Sequence, residues 1–278
     1  MRRLDAHTQL VGVLGYPVRH SLSPAMHNAA FQALGLNWVY LAFEVPPELL
    51  PQAVTGMRGL GIRGLNLTIP HKQAVIPLLD GLTDAAARIG AVNTLFWHEG
   101  QLMGDNTDAE GFLRALLEAS VDPTGHTVLV LGAGGAARAV VYALTQRGCR
   151  VYIANRTYER ALLLAQAFGA EAIPLHALEA LLPRLDGVVN STSLGMAPDV
   201  HSTPPVAWQL VPPTAWACDL VYRPRQTRFL QLAAAHGLKT VDGLGMLVHQ
   251  GALAFERWTG HAAPIFAMRD AITPFLEE

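Results

Sequence analysis

Lysine is rare in this chain, and one of its lysines stands where a proton could be moved. Of the 20 Lys and Arg residues, the lysines are Lys72 and Lys239, and every other cation is arginine. Lys72 follows the strand-like run GLNLTI and Pro70, at the point where a helix should start. A cation there opposes the helix dipole, so a stabilising surface role is disfavoured. The same field, with burial, favours giving the proton up, as a general acid must. Arginine could not substitute, because its guanidinium stays protonated. Lys239 reads as solvated surface.

The strand before Lys72 also delivers Asn66 and Thr68. Asn93 closes a turn, and Asp108 opens a helix after Thr107, which is spaced from Glu110 as a capping box. Asp108 could partner Lys72, or it could serve its own helix as first-turn charge; spacing leaves both open. In HSLSPAMHN, Ser23 before Pro24 reads as an N-cap followed by the first helical residue. With Ser21 it sets two hydroxyls at a positive helix end, which suits a carboxylate. The 11 histidines, His20 and His27 among them, show no metal-ligand spacing, so no metal is expected.

A second constellation follows TVLVL. Gly132, Gly134 and Ala137 spell GxGxxA at a helix start, so the turn Gly132, Ala133, Gly134, Gly135, Ala136 offers backbone N–H groups to a pyrophosphate. Dinucleotide folds selective for NAD place Asp or Glu about 20 residues further on, to accept from the ribose 2′-hydroxyl. Here that place holds Asn155, Arg156 and Thr157, with Arg160 one turn later. Two guanidiniums and a hydroxyl attract a 2′-phosphate, which points to NADP. Thr157 also reads as the cap of the next helix.

These residues need elements to hold them. Leu10 to Leu14, Tyr40 to Val45, Gly64 to Ile69 and Val92 to Trp97 read as strands separated by helix-length segments. From Gly125 the alternation restarts with HTVLVLG, CRVYIAN, DGVVNST and WACDLVY. Apolar runs without polar alternation indicate strands covered on both faces, as in a parallel α/β sheet. Soft boundaries fall at VDPTG and DGLG. Leu247, Val248, Gly251, Phe255 and Trp258 then recur at helical spacing, with Gln250 one step off that stripe.

Composition bounds the partners. With 51% hydrophobic and 15% charged residues in 278, the chain is folded rather than disordered. A formal net charge of −2 gives no footprint for nucleic acid or an anionic membrane. The segment Thr127 to Leu144 is interrupted by glycines and Arg138, and reads as strand, turn and helix rather than a membrane span. No secretory leader is apparent, so a cytoplasmic protein is expected. Cys149 and Cys218 are too few for a disulfide framework and read as free buried thiols.

SLSPAMHN, NLTIPHK, GAVNT, GDNTDAEGF, GAGGAARA, NRT, DLVY and GLGMLVHQGALAFERWTG, in this order across nearly the whole chain, resemble the shikimate dehydrogenase family. The resemblance implies a substrate-binding catalytic domain over 1–112, a doubly wound (Rossmann) NADP domain over 113–242, and C-terminal helices over 243–278 that return to the substrate domain. It implies reversible NADPH-dependent reduction of 3-dehydroshikimate to shikimate, on the route to chorismate and the aromatic amino acids. Ser21 and Ser23 would take the substrate carboxylate, and Asn66, Thr68, Lys72, Asn93, Asp108 and Gln250 the ring side. Lys72 would exchange the proton, held by Asp108. Tyr222 would line the substrate side, Leu220 and Gly243 the nicotinamide, and Asp84 the cofactor side. Tyr158 and Arg160 stand where many members carry lysine or serine. Alternatives are a quinate/shikimate dehydrogenase using NAD, and a non-catalytic NADP-binding sensor. Monomer and homodimer are both open.

Overall fold

The computed structural model describes residues 4–276. They form two compact units, one made of residues up to Thr107 with Val248–Phe275, the other of Asp108–Leu247. The first contains β1 (Gln9–Gly15), α1 (Ser23–Ala33), β2 (Trp38–Glu44), α2 (Leu50–Gly59), β3 (Gly64–Leu67), α3 (His71–Ala74), β4 (Gly81–Leu82), α4 (Asp84–Ile89), β5 (Thr94–His98) and β6 (Gln101–Asp105). The second contains α5 (Asp108–Glu118), β7 (Thr127–Leu131), α6 (Gly135–Gln146), β8 (Arg150–Ala154), α7 (Tyr158–Phe168), β9 (Glu171–Ala172), β10 (Gly187–Asn190), β11 (Trp216–Asp219), α8 (Arg228–Ala235) and β12 (Lys239–Val241). Helix α9 (Gly243–Thr259) starts in the second unit and ends in the first, where α10 (Ile265–Asp270) follows. Among the described residues no helix is long and apolar enough to cross a membrane.

The first sheet runs β2-β1-β3-β5-β6-β4. It is not the all-parallel sheet that its apolar runs suggest: β3–β5 and β5–β6 are antiparallel. The cause is local. Glu99 and Gly100 both take positive φ, 49° and 79°, and this two-residue turn folds β6 back on β5. Strand alternation then sorts side chains between two faces. Leu14, Leu65, Leu67, Leu95 and Leu102 pack with Val54 and Met57 of α2 on one face. The register Val11–Tyr40, Val13–Asn66, Asn66–Thr94 and Thr94–Asp105 puts Tyr40, Asn66, Thr94 and Asp105 on the other. That face is covered by α1 and α9: His27 stacks on Tyr40 with centroids 4.4 Å apart, and Phe31 on Phe255 at 5.2 Å.

The second sheet is parallel throughout, ordered β12-β11-β10-β7-β8-β9. Numbered from β7, that is the 3-2-1-4-5-6 order of a doubly wound sheet, whose winding reverses between β7 and β10. Cys218 is buried in β11, as expected; Cys149 is only half-buried, because it sits in the turn before β8 and its thiol donates to the Pro123 carbonyl. Lys239 is exposed and donates to the Ser120 carbonyl at 3.0 Å.

Gly64 shows how α9 is joined to its sheet. A Cβ there would lie 2.1 Å from Trp258 Nε1, so the indole lies directly on bare backbone. Its Nε1–H meanwhile donates to the Leu95 carbonyl at 2.9 Å. Gly64→Ala should destabilise the protein by about 1–3 kcal/mol, the usual cost of overpacking. Chemical denaturation measures this, and an unchanged midpoint would count against the packing described.

Candidate active site

The polar candidates of the first unit gather at one edge of its sheet. The C-terminal ends of β1, β3 and β6 and the antiparallel start of β5 meet there, which brings together residues distant in sequence. Asn66 is buried in β3. Its Nδ2 donates to the Asn93 carbonyl and to Thr94 Oγ1, both at 3.1 Å. Thr94 Oγ1 donates to Asn93 Oδ1 at 3.0 Å, and the same oxygen accepts the Thr107 backbone N–H at 2.8 Å. Asn93 Nδ2 therefore points the other way, to Thr107 Oγ1 at 2.9 Å and Gln250 Oε1 at 3.4 Å. Gln250, which lies beside the apolar stripe of α9, joins the cluster through its carbonyl and so offers its amide hydrogens to other partners. The Thr107 hydroxyl is engaged with Asn93, and Glu110 accepts from Arg114 at 2.8 Å.

Two backbone bonds strap the lysine loop to this cluster. Leu67 N–H donates to the Asn93 carbonyl at 2.8 Å and Val92 N–H to the Lys72 carbonyl at 2.7 Å. Lys72 is half-buried, and its helix is a single turn, His71–Ala74, followed by a 3-10 turn over Ile76–Leu78 that contains Pro77. A one-turn helix has little macrodipole, so the field argument for Lys72 loses most of its force. Thr68, half-buried, receives the turn of the same loop: His71 N–H donates to its carbonyl at 2.9 Å. Helix α1 begins at Ser23, one residue earlier than expected, with Leu22 at the cap position and Pro24 second. Ser23 is buried and its N–H donates to Ser21 Oγ at 3.3 Å, so the two hydroxyls remain adjacent although neither caps the helix. Asp84 is exposed in the first turn of α4, behind the capping Thr83, a place where a carboxylate complements the helix end. Asp108 is buried at the start of α5.

In the second unit a cleft opens where the winding reverses. Leu131, Gly132, Ala154, Asn155, Arg156, Thr157, Arg160 and Thr192–Leu194 line it. The two glycines of the motif work differently. Gly132 has φ +113°, and a Cβ there would lie 2.6 Å from Ser191 Oγ, so the fold itself requires glycine. Gly134, the residue before α6, has open space where a Cβ would project. That space faces a helix N-terminus and fits a pyrophosphate. Thr157 occupies the cap position of α7 without a side-chain cap bond. Asn155 Nδ2 donates to the Thr157 carbonyl at 2.9 Å, shaping the turn that carries Arg156. The cleft lining contains no carboxylate at this end. Leu220 and Gly243 also meet: a Cβ on Gly243 would come within 2.5 Å of the Leu220 carbonyl.

Comparison with known proteins gives the lineage of this architecture. Residues 13–95 match the shikimate dehydrogenase substrate binding domain, residues 115–197 the shikimate/quinate 5-dehydrogenase family, and residues 243–273 the shikimate 5′-dehydrogenase C-terminal domain. The NADP(+) shikimate dehydrogenase of Desulforamulus reducens is 48% identical over 97% of this chain and 96% of its own. The chain belongs to the shikimate dehydrogenase family. A shikimate dehydrogenase crystallised with NADP+ superposes with a TM-score of 0.94, at 40% identity over 99% of this chain and 98% of its own. The enzyme from Thermus thermophilus, crystallised with NADP(H) and shikimate, superposes with a TM-score of 0.88, at 46% identity over 95% and 98% of the two chains.

This shikimate dehydrogenase family member also has supports that sequence reading missed. Asp105, the last residue of β6, accepts from Thr83 Oγ1 at 2.6 Å, from Asn106 N–H at 2.8 Å and from Arg257 of α9. Asn106 and Asp105 were in plain view inside GDNTDAEGF, but only the register shows which of its polar residues face inward. In the second unit Asn190 Nδ2 donates to Asp219 Oδ1 at 3.0 Å, while its Oδ1 accepts the Thr192 hydroxyl at 2.7 Å. Asp219 also accepts from Thr227 Oγ1 at 2.6 Å and Val221 N–H at 2.9 Å, fixing the backbone between Leu220 and the half-buried Tyr222.

Burial pushes the Asp219 carboxyl up to about 6, against the pull of the bonds from Thr227, Val221 and Asn190. The folded form therefore holds a proton that the unfolded chain releases near pH 4, so this residue stabilises the fold at low pH and loses that contribution as pH rises through about 6. Asp219→Asn should abolish that term. The unfolding free energy of the parent relative to the variant should fall by roughly 3 kcal/mol between pH 4 and pH 7. Denaturant titrations across that range check it, and a pH-independent difference would refute the burial assignment.

Proposed function

We propose that this protein catalyses the reversible, NADPH-dependent reduction of 3-dehydroshikimate to shikimate, a step towards chorismate and the aromatic amino acids. The observation that carries the reading is the polar cluster of Asn66, Asn93 and Gln250, strapped beside Lys72 by the Val92–Lys72 backbone bond. Such a cluster suits a small polyhydroxylated ring, with Ser21 and Ser23 at the carboxylate end and Thr68, Asn66, Asn93 and Gln250 toward the hydroxyls. NADPH, when bound, supplies the hydride for the ring carbonyl. Lys72 gives the accompanying proton to the carbonyl oxygen, and takes one from the hydroxyl in the oxidative direction. Asp108 holds Lys72 and the neighbouring hydroxyl in register. Tyr222 lines the substrate side.

The turn Gly132 to Ala136 would hold the pyrophosphate, Asn155, Arg156, Thr157 and Arg160 the 2′-phosphate and adenine end, and Leu220 and Gly243 the nicotinamide. Asp84 is kept as a residue of the cofactor side. Two free cysteines and a soluble cofactor fit a cytoplasmic enzyme.

A shikimate-dependent absorbance assay for NADPH formation tests the activity directly. A non-catalytic sensor would give no signal, and quinate with NAD+ run in parallel exposes a broader quinate/shikimate dehydrogenase. Lys72→Ala should lower kcat by about 10²–10⁴-fold with little change in KM. Lys72→Arg should be nearly as poor, since it keeps charge but cannot release a proton. A Lys72→Ala enzyme with near-normal kcat would remove the lysine from the mechanism. Arg156→Ala should raise the NADP+ KM by roughly tenfold or more, the value of one charge-assisted contact, and leave the NAD+ KM nearly unchanged. Equal losses with both cofactors would overturn the 2′-phosphate assignment.

A further inference from the structure

Tyr40 is a phenol at the foot of the substrate cluster, and the family motifs give no reason to expect one there. It is fully buried on β2, two strands away from Asn66, and its Oη reaches across β1 to Asn66 Oδ1 at 2.9 Å. Its other side is covered by the His27 ring, parallel to within 1°. Helix α1 is clamped to it twice over: Asn28 Oδ1 accepts the Tyr40 N–H and Asn28 Nδ2 donates to the Tyr40 carbonyl, each at 2.9 Å.

Backbone groups fix the orientation of the two amides in this cluster. Asn66 Nδ2 faces the Asn93 carbonyl, which can only accept, so Asn66 Oδ1 must face Tyr40 and the phenol must donate. Burial keeps that phenol protonated, since it pushes its ionisation far above the ordinary range. The Thr107 N–H can only donate, so it orients Asn93 Oδ1, and Thr94 Oγ1, which accepts from Asn66, lies within bonding distance of the same oxygen. Asn93 is left with its amide hydrogens directed at Thr107 and Gln250. Hydrogen bonds thus run from Ser23 and Tyr40 through Asn66 and Thr94 to Asn93 and Gln250.

We propose that Tyr40 is a positioning residue for substrate binding: its hydroxyl, hydrogen-bonded to Ser23 and donating to Asn66 Oδ1, ties the carboxylate-side serine to the Asn66 amide and holds both in place for a hydroxylated ring. The proposal rests on the shikimate reading of the site. The phenol's partners, Ser23 and Asn66, are both on the substrate side, so its removal should act on substrate affinity and leave the hydride and proton steps intact.

Tyr40→Phe removes the hydroxyl and keeps the ring stacked on His27. The expected result is a shikimate KM raised about 5- to 20-fold, with kcat within about threefold and the NADP+ KM unchanged. A folded variant, judged by its thermal midpoint, whose shikimate KM stays within twofold of the parent would overturn the proposal. So would equal rises in both KM values. Should Tyr40→Phe fail to fold, Thr94→Val removes the other hydroxyl that holds the Asn66 amide and must show the same split, with Thr94→Ser restoring the parent KM; a Thr94→Val enzyme with parental KM overturns the proposal. The parent enzyme separates the two ideas: if it does not oxidise shikimate, the activity assignment fails, whereas a parent that does so beside an unaltered Tyr40→Phe leaves the activity standing and the positioning role refuted.

Discussion

The buried amide of Asn93 is the constraint on which the first unit's site depends. Its carbonyl takes hydrogens from the Leu67 backbone and the Asn66 side chain, and its side-chain oxygen takes them from Thr94 and the Thr107 backbone. A polar group with 2% of its surface exposed must be satisfied inside the protein, or it costs more than the fold gains by burying it. Satisfying it draws the end of β3, the start of β5 and the segment after β6 to one point. The polar edge of this sheet is therefore as much a folding requirement as a chemical one.

The second unit solves a different problem with fewer side chains. Its winding reversal between β7 and β10 opens a cleft beside the glycine turn, lined by Gly132 and by Asn155, Arg156 and Thr157. The loops that line it are tied to the sheet by Asn190 and Asp219, which bind each other at 3.0 Å and reach Thr192 on one side and Val221 on the other. Leaving an ionisable group there is expensive, and burial raises it accordingly. It secures a defined path for the segment from Leu220 to Tyr222.

How much of this could be read from the residues follows from what each signal measures. Long apolar runs marked β1, β7, β8, β10 and β11, because such strands are covered on both faces. Strands β4 and β9, two residues each, carry no period to detect. β6 escaped because Gly104 and Asp105 interrupt it, and because its hairpin turns on Glu-Gly rather than the Asn-Gly or Asp-Gly that normally marks such a turn. The start of α1 shifted by one residue, within the usual scatter of helix ends. Among the site candidates, Asn66, Asn93 and Gln250 do meet. Tyr40 and Thr94 looked like ordinary strand residues, since a side chain that serves the site by reaching over an intervening strand leaves no local spacing. The dipole argument for Lys72 failed for a related reason: it assumed a helix whose length only the tertiary structure sets.

The contrast between the two motif glycines bears on how variants of this protein would be scored. A side chain at Gly132 collides with Ser191 and needs an unfavourable backbone angle, so selection for folding alone would remove it. At Gly134 no neighbouring atom stands within 4 Å of an added Cβ, and its φ of −90° is open to any residue. A screen that reads only abundance or solubility would pass substitutions there as neutral. Under the proposed pyrophosphate role, the information held at that position would be written in the shape of a ligand rather than in the stability of the chain.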